Sequence, residues 1–266
     1  MFATPAMASI VVDGSLTDWG ITVGDSNNTV YTLLGPSIGL ISSMIEDQDD
    51  FSGHGFFLGP NYGGQDYDAE FLGVAYKSGK LYVAILTGQR PDNGLTYFGP
   101  GDIRIETSGG VYGVEVGGGP GGGPGTAITE GAPGSTYQLK SNGETQSHSV
   151  ANASQTAGSM WKNVNWIMDP IAPPMPTQFS ILPTSTLIGA ADYVYTRNSQ
   201  TLRHAAIELG LDVSLFNGEL IKGVTWRPGC GNDELSVPVN IVPEPVTASF
   251  LAAGWLLFGF RRRRVV

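Results

Sequence analysis

The chain has 266 residues, 41% of them hydrophobic, with 38 Gly, 17 Pro and a formal charge of −10. That is apolar material for one large core or two small ones, and the Gly and Pro content with scarce helical periodicity points to strands and loops. So acidic a body repels phosphate rather than releasing its counterions, which excludes nucleic acid as a partner.

The single cysteine, Cys230, excludes an intrachain disulfide framework, and three histidines beside it are too few for a zinc site to be expected. Residues 1–8 end in Ala6-Met7-Ala8, a small-x-small pattern that fits signal-peptidase cleavage before Ser9. No basic or apolar region precedes it, so either these residues are the remnant of a signal peptide whose start lies further upstream, or the match is chance. The remnant is the expected reading, because the C-terminal tail described below independently demands export.

The body spans 9–241. Residues 9–12 read as a short apolar strand, and Asp13 to Trp19 as a turn packed down by Leu16 and Trp19. Residues 29–34 read as another strand, and 45–64 as a loop, acidic first and then Gly- and aromatic-rich. Two β-rich runs, 71–76 and 81–87, are joined by Lys77-Ser78-Gly79-Lys80, which predicts a hairpin with glycine available for positive φ. The second run is apolar throughout, so its strand should be covered on both faces. A second hairpin pairs 102–107 with 111–116. Ile103 and Ile105 alternate there with Arg104 and Glu106, and Val114 and Val116 flank Glu115, so the apolar set should face inward and the charges outward.

Residues 117–125, GGGPGGGPG, are a low-complexity flexible loop. Strands are expected at 136–139, 178–182 and 192–196, with a Pro-rich connector at 168–176. Residues 203–211 read as a strand. Asp212 should cap one helical turn over 213–216, which Asn217-Gly218 ends. Strands at 220–226 and 235–241 close the body around a turn at 227–233. Many short strands separated by turn signals predict an all-β fold, an antiparallel β-sandwich with long Gly/Pro-rich loops.

Three carboxylates, Asp66, Asp68 and Glu70, sit at i, i+2 and i+4, so on a strand they share one face. Hard oxygens brought together in this way suit Ca²⁺; the alternative is a solvated acidic strand entry. Phe56, Phe57, Tyr62, Tyr67, Tyr97, Trp161 and Trp166 offer either a stacking platform for sugars, with Asn61 and Asn93 for the hydroxyls, or ordinary core. His54, His148 and His204 are scattered, and no nucleophile, metalloprotease or phosphate-binding motif occurs, so no catalytic residue is expected.

The last 25 residues, 242–266, have three parts: Val242-Pro243-Glu244-Pro245, an uncharged apolar run at 246–260, and Arg261, Arg262, Arg263 and Arg264. The two prolines hold the motif extended. The run would make one transmembrane helix rising about 22 Å at ~1.5 Å per residue, short of the roughly 30 Å hydrocarbon core. The arginines would fix its cytoplasmic end. A plain tail anchor or a buried core helix with a basic tail are the alternatives, although only Thr247 and Ser249 break the apolar run.

This tail resembles the PEP-CTERM sorting signal of Gram-negative surface proteins. The resemblance implies recognition by exosortase, a membrane enzyme that processes the protein near the motif, and passage from an inner-membrane intermediate with a periplasmic body to the cell surface or extracellular matrix. In the body, Asp13-Gly14-Ser15-Leu16-Thr17-Asp18-Trp19, then Asp68-Ala69-Glu70 leading a strand paired with Leu81 to Ile85, then an Ile207-Glu208 strand, a one-turn helix and a Trp226 strand, follow an order similar to the DOMON-like sandwich. Carbohydrate-binding modules of family nine belong to that group, often open with Asp-Gly-x-Leu-x-x-Trp, and imply structural calcium, for which Asp13 or Asp233 would complete the shell. Gly229-Cys230-Gly231-Asn232-Asp233 also resembles a phrase of exported PEP-CTERM proteins. The expected function is an exported, exosortase-processed, non-catalytic surface or matrix protein; the alternative is a carbohydrate-binding module attaching it to exopolysaccharide, with calcium as the one cofactor in view.

Overall fold

The computed structural model describes residues 9–24, 29–46, 65, 68–88, 101–116, 135–139, 144–148, 157–168, 176–199, 204–228, 231 and 233–243. The strongest local signal, the hairpin, forms as β4 (Ala69–Lys77) and β5 (Lys80–Thr87). Its turn places Ser78 at φ 52° and Gly79 at φ 80°, two successive left-handed residues of the kind that match the twist of paired strands. β3 (Leu40–Ile45) flanks β4, while β15 (His204–Asp212) and then β14 (Asp192–Ser199) continue beyond β5, giving a five-stranded antiparallel sheet ordered β14-β15-β5-β4-β3.

The second hairpin, β6 (Ile103–Thr107) and β7 (Gly110–Val114), seeds the other sheet. Around it stand β10 (Ser159–Lys162), β13 (Thr186–Ala190), β16 (Ile221–Trp226) and β17 (Leu235–Ile241), in the order β13-β10-β7-β6-β16-β17. Three two-stranded ribbons complete the pairings: β1 (Ile21–Thr22) with β2 (Val30–Tyr31), β8 (Ser135–Leu139) with β9 (Glu144–His148), and β11 (Asn165–Met168) with β12 (Pro176–Ser180). Among the described residues the helical turns are 3-10 segments at Leu16–Trp19, Gly35–Ser37 and Val213–Phe216.

One apolar cluster joins the two sheets: Leu72, Val83, Ile85 and Ile207 from the first share it with Ile105, Val114, Val224 and Trp226 from the second. A second cluster lies on the outer face of the five-stranded sheet, where Ile10, Leu16, Trp19, Ile21 and Ile38 cover Phe71, Ala75, Ala84, Leu86 and Ala206. β5 is therefore covered on both faces, as its unbroken apolar run predicts. The fold is all-β and sandwich-like, with an N-terminal layer added outside one sheet.

Glu208 holds that layer in place. It is buried mid-strand in β15, and its carboxylate accepts from Asp13 N (3.1 Å), Gly14 N (2.7 Å) and Trp19 Nε1 (3.0 Å). The Asp-Gly-x-Leu-x-x-Trp phrase thus works as a plug: Leu16 and Trp19 supply apolar area and the flanking N–H groups dock on one acid. Asp212 caps the later 3-10 turn through Ser214 N at 2.9 Å, and Asn217 ends it at φ 51°, as the sequence predicts.

Several expectations need correction. Residues 9–12 are not a strand; Val11 N instead donates to Asp18 Oδ2 at 2.7 Å while Ile10 reaches the outer cluster. Only Val30–Tyr31 of 29–34 pairs as a strand. Glu115 is buried although the alternation holds: Tyr112, Val114 and Val116 stay in the inner cluster, and Glu115 continues the pairing with β10 through its N–H to Ser159 O at 2.9 Å, on a face that is covered rather than open to water. Arg104 pairs with Glu106, two positions along its own strand. β1, β3, β9, β10, β11 and β13 are not expected from the sequence. No helix among the described residues is long and apolar enough to cross a membrane. The apolar run 246–260, the arginines, the loop 117–125 and residues 1–8 lie outside the described residues.

Candidate functional site

Strand termini bring the acids together. β3 ends at Ile45, β4 begins at Ala69, β5 ends at Thr87, β15 begins at His204 and β17 begins at Leu235. Antiparallel pairing puts these termini at one end of the sandwich, with Ile45 opposite Phe71, Ala69 opposite Thr87 and Ala205 opposite Thr87. β17, the last strand of the six-stranded sheet, also packs beside β3 and β4 of the other. The edges of the two sheets therefore meet where these three strands do.

At that meeting point Glu46, Asp68 and Asp233 each offer one carboxylate oxygen, and the three oxygens lie within 4.8 Å of one another. Asp233 is fixed by backbone donors: its Oδ2 accepts from Ala69 N at 3.0 Å and its Oδ1 from Glu234 N at 2.7 Å. Asp68 is only 5% exposed, and its Oδ2 is buried without a hydrogen-bond partner among the described residues. Burial first, then the charges of Glu70, Asp233 and Glu46, push the Asp68 carboxyl up to about 9. Burial also raises Asp233, against the N–H groups of Ala69 and Glu234 that favour its charged form.

Glu70 does not join this group. The pairing of β4 with β5 slips between Ala69 and Phe71, a bulge with Glu70 as the extra residue. Ala69 and Leu72, an odd number of positions apart, consequently both lie in the inner cluster. The i, i+2, i+4 alignment read from the sequence fails at this bulge. Glu70 Oε1 lies 2.7 Å from His204 Nδ1 and accepts from Gln65 Nε2 at 2.6 Å, and all three side chains are buried. Asp66 lies outside the described residues, and Asp13 is engaged at the N-terminal plug, where its N–H meets Glu208. Of the proposed completing ligands, Asp233 is the one placed beside Asp68. Glu46 had no signal of its own beyond belonging to an acidic run.

A further buried acid near this end, Asp102, is built differently. Its oxygens accept from Val116 N (3.0 Å) and Phe179 N (2.8 Å), tying β6, β7 and β12 together, and burial pushes it up to about 8 despite those donors. With each oxygen occupied by a backbone N–H, it is a structural tie rather than a ligand.

The aromatic candidates divide. Phe56, Phe57, Tyr62, Tyr67 and Tyr97, with Asn61 and Asn93, lie outside the described residues, as does His54. Trp161 and Trp166 are half-buried: Trp161 Nε1 donates to Ser159 Oγ at 3.0 Å, and Trp166 packs edge-on to Phe179 at 5.6 Å with the Arg104 guanidinium 6.0 Å from its ring. These two tryptophans serve packing around β10 to β12.

Three converging carboxylates either share protons or hold a hard cation. The structural calcium implied by the sequence resemblance fits this donor set: all ligands are oxygens, one is buried and unsatisfied, and Ca²⁺ takes oxygens at about 2.4 Å, which spans roughly 4.8 Å between opposite ligands. The chain matches no family model, no curated protein and no solved structure.

Proposed function

We propose that the chain is an exported, exosortase-sorted, non-catalytic surface or matrix protein of a Gram-negative bacterium, whose β-sandwich body is carried to the cell exterior by its C-terminal tail. The observation that carries this reading is the tail's own sequence, Val242-Pro243-Glu244-Pro245 followed by an uncharged apolar run and four arginines. Among the described residues both sheets and both apolar clusters are complete by Ile241, the last residue of β17, and the Pro-Glu-Pro motif begins two positions on. The uncharged run and its four arginines supply the transient inner-membrane anchor.

The test is the intact mass of protein recovered from the surface of a host that carries exosortase. A mature C-terminus near Pro243–Pro245 is expected; a full-length tail on surface-recovered protein would overturn processing. A second reading, attachment to exopolysaccharide, draws on the aromatic residues that the sequence gathers in 51–67, between β3 and β4 in chain order. Saturable retention of the protein by exopolysaccharide would favour that reading, while a matrix spacer shows none.

A further inference from the structure

The tail leaves the body at a definite place. Ile241, the last residue of β17, lies opposite Ile221 at the start of β16, and Ile221 lies opposite Thr107 at the β6–β7 turn. Lys162 ends β10 level with Tyr112 and with Thr186, the first residue of β13, and Ser185 Oγ donates to Asn163 O at 2.8 Å. One end of the six-stranded sheet therefore gathers the turns at 108–109, 163–164 and 182–185 around the point of exit. Leu182, Leu187 and Val242 are exposed there, and half-buried Trp161 lies opposite Leu187. The acids of this end, Glu219 and Glu106, are bridged to Lys162 and Arg104, and exposed Lys222 adds a further positive charge. Glu46, Asp68 and Asp233 stand at the other end, beyond the length of β17, which is roughly 20 Å at ~3.3 Å per residue.

We propose that this end of the body is a membrane-contact face, seated on phospholipid headgroups while the tail is inserted. The assignment rests on the anchoring role given to the tail above. Pro243 is still buried, so Glu244 and Pro245 alone separate the body from the apolar run at 246–260, a reach of about 7 Å at ~3.5 Å per residue. So short a tether brings the surface around the exit, and no other, against the bilayer. The chemistry of that surface suits the place. Leucine side chains and an indole partition into the boundary between headgroups and acyl chains, and lysines beside them reach the phosphates. The gathered carboxylates are held away from the lipid phosphates by more than two Debye lengths of about 8 Å each at physiological salt. In this pose the Pro-Glu-Pro motif is pinned at the bilayer surface, within reach of a membrane enzyme, and the acidic end points away from the lipid.

The full-length protein, on a Cys230→Ser background, is reconstituted through its tail into phosphatidylcholine–phosphatidylglycerol vesicles that carry a headgroup-bound fluorescence quencher. A bimane label on Thr184→Cys, in the 182–185 turn, is compared with one on Ile45→Cys at the acidic end; both positions are exposed. Because the length of a strand separates the two ends, quenching at 184 should exceed that at 45 about threefold or more. Leu182→Ser combined with Leu187→Ser removes exposed apolar area and should lower the quenching at 184 about twofold, with Tm unmoved. Equal quenching at 184 and 45 in protein that resists an alkaline carbonate wash would overturn the contact face and leave the anchor standing. Quenching at 184 indifferent to the double variant would do the same. Protein released by the wash would overturn the anchor, and the contact face with it.

Discussion

Glu208 sits in a run, Ile207-Glu208-Leu209, whose alternation on a half-exposed sheet would place the acid in water. It is buried because the outer face of this sheet is itself covered by the N-terminal layer, a long-range fact that no local pattern carries. Burial, aided by the nearby charge of Asp18, pushes its carboxyl from 4.5 up to about 7, outweighing the Asp13, Gly14 and Trp19 N–H groups that favour the charged form. A folded value above the unfolded one means the native state holds the proton more tightly. The resulting stability is full below about pH 4.5 and is lost as pH rises through about 7, on the order of 3 kcal/mol in all. Asp68 and Asp102 are raised as well and add to the same downward slope. Glu208→Gln keeps the volume but turns an N–H₂ toward N–H donors, which should cost about 1–3 kcal/mol at pH 5. Between pH 5 and 7 its loss of stability per pH unit should be smaller by one proton, about 1.4 kcal/mol. Urea unfolding followed by tryptophan fluorescence reads both quantities; an unchanged slope would show that Glu208 is not a source of the pH dependence.

At the scale of elements, legibility follows how much apolar surface each strand buries. β4, β5, β6 and β7 pair with sequence neighbours, and their apolar runs and alternation are plain in the chain. β15, β16 and β17 carry enough buried apolar residues to be read, although β15 and β16 each also pair with a distant strand. β9 is polar throughout, and β3, β11 and β13 turn much of their length to solvent, so pairing rather than composition makes them strands. The site divides in the same way. Asp68 stands out by spacing, but the bulge at Glu70 breaks period two, and Asp233 meets Ala69 across 164 positions of chain. The β11–β12 ribbon offers a test of packing between elements. It docks on the outer face of β7, where a Cβ on Gly113 would lie 2.5 Å from the Phe179 ring. Gly113→Ala should therefore cost about 1–3 kcal/mol by overpacking. Amide exchange over 165–180 should quicken while that of β4 and β5 holds; uniform quickening everywhere would mean the ribbon is no separate unit.

The whole molecule is assembled from late pieces. β5 cannot gain its second neighbour until β15 arrives, and β6 waits for β16, so the inner cluster closes only when the chain is nearly complete. β17 then contributes Leu235, Val237, Val239 and Ile241 to that cluster and sets Asp233 beside Asp68. The proposed sorting motif begins just after these side chains. Ending the chain after Pro243 keeps every described member of both clusters, and if the tail is a removable signal the Tm should stay within about 2 °C of the full-length value, less than ~1 kcal/mol. Ending it after Asn232 removes β17 and four inner-cluster side chains at once, each worth about 1.5–3 kcal/mol when fully buried, a total comparable with the whole stability of a domain. That shorter chain should show no cooperative unfolding transition by calorimetry. If instead loss of the tail after Pro243 lowered Tm by ten degrees or so, the tail would be part of the folded body, and a signal cleaved near the motif could not leave an intact protein behind.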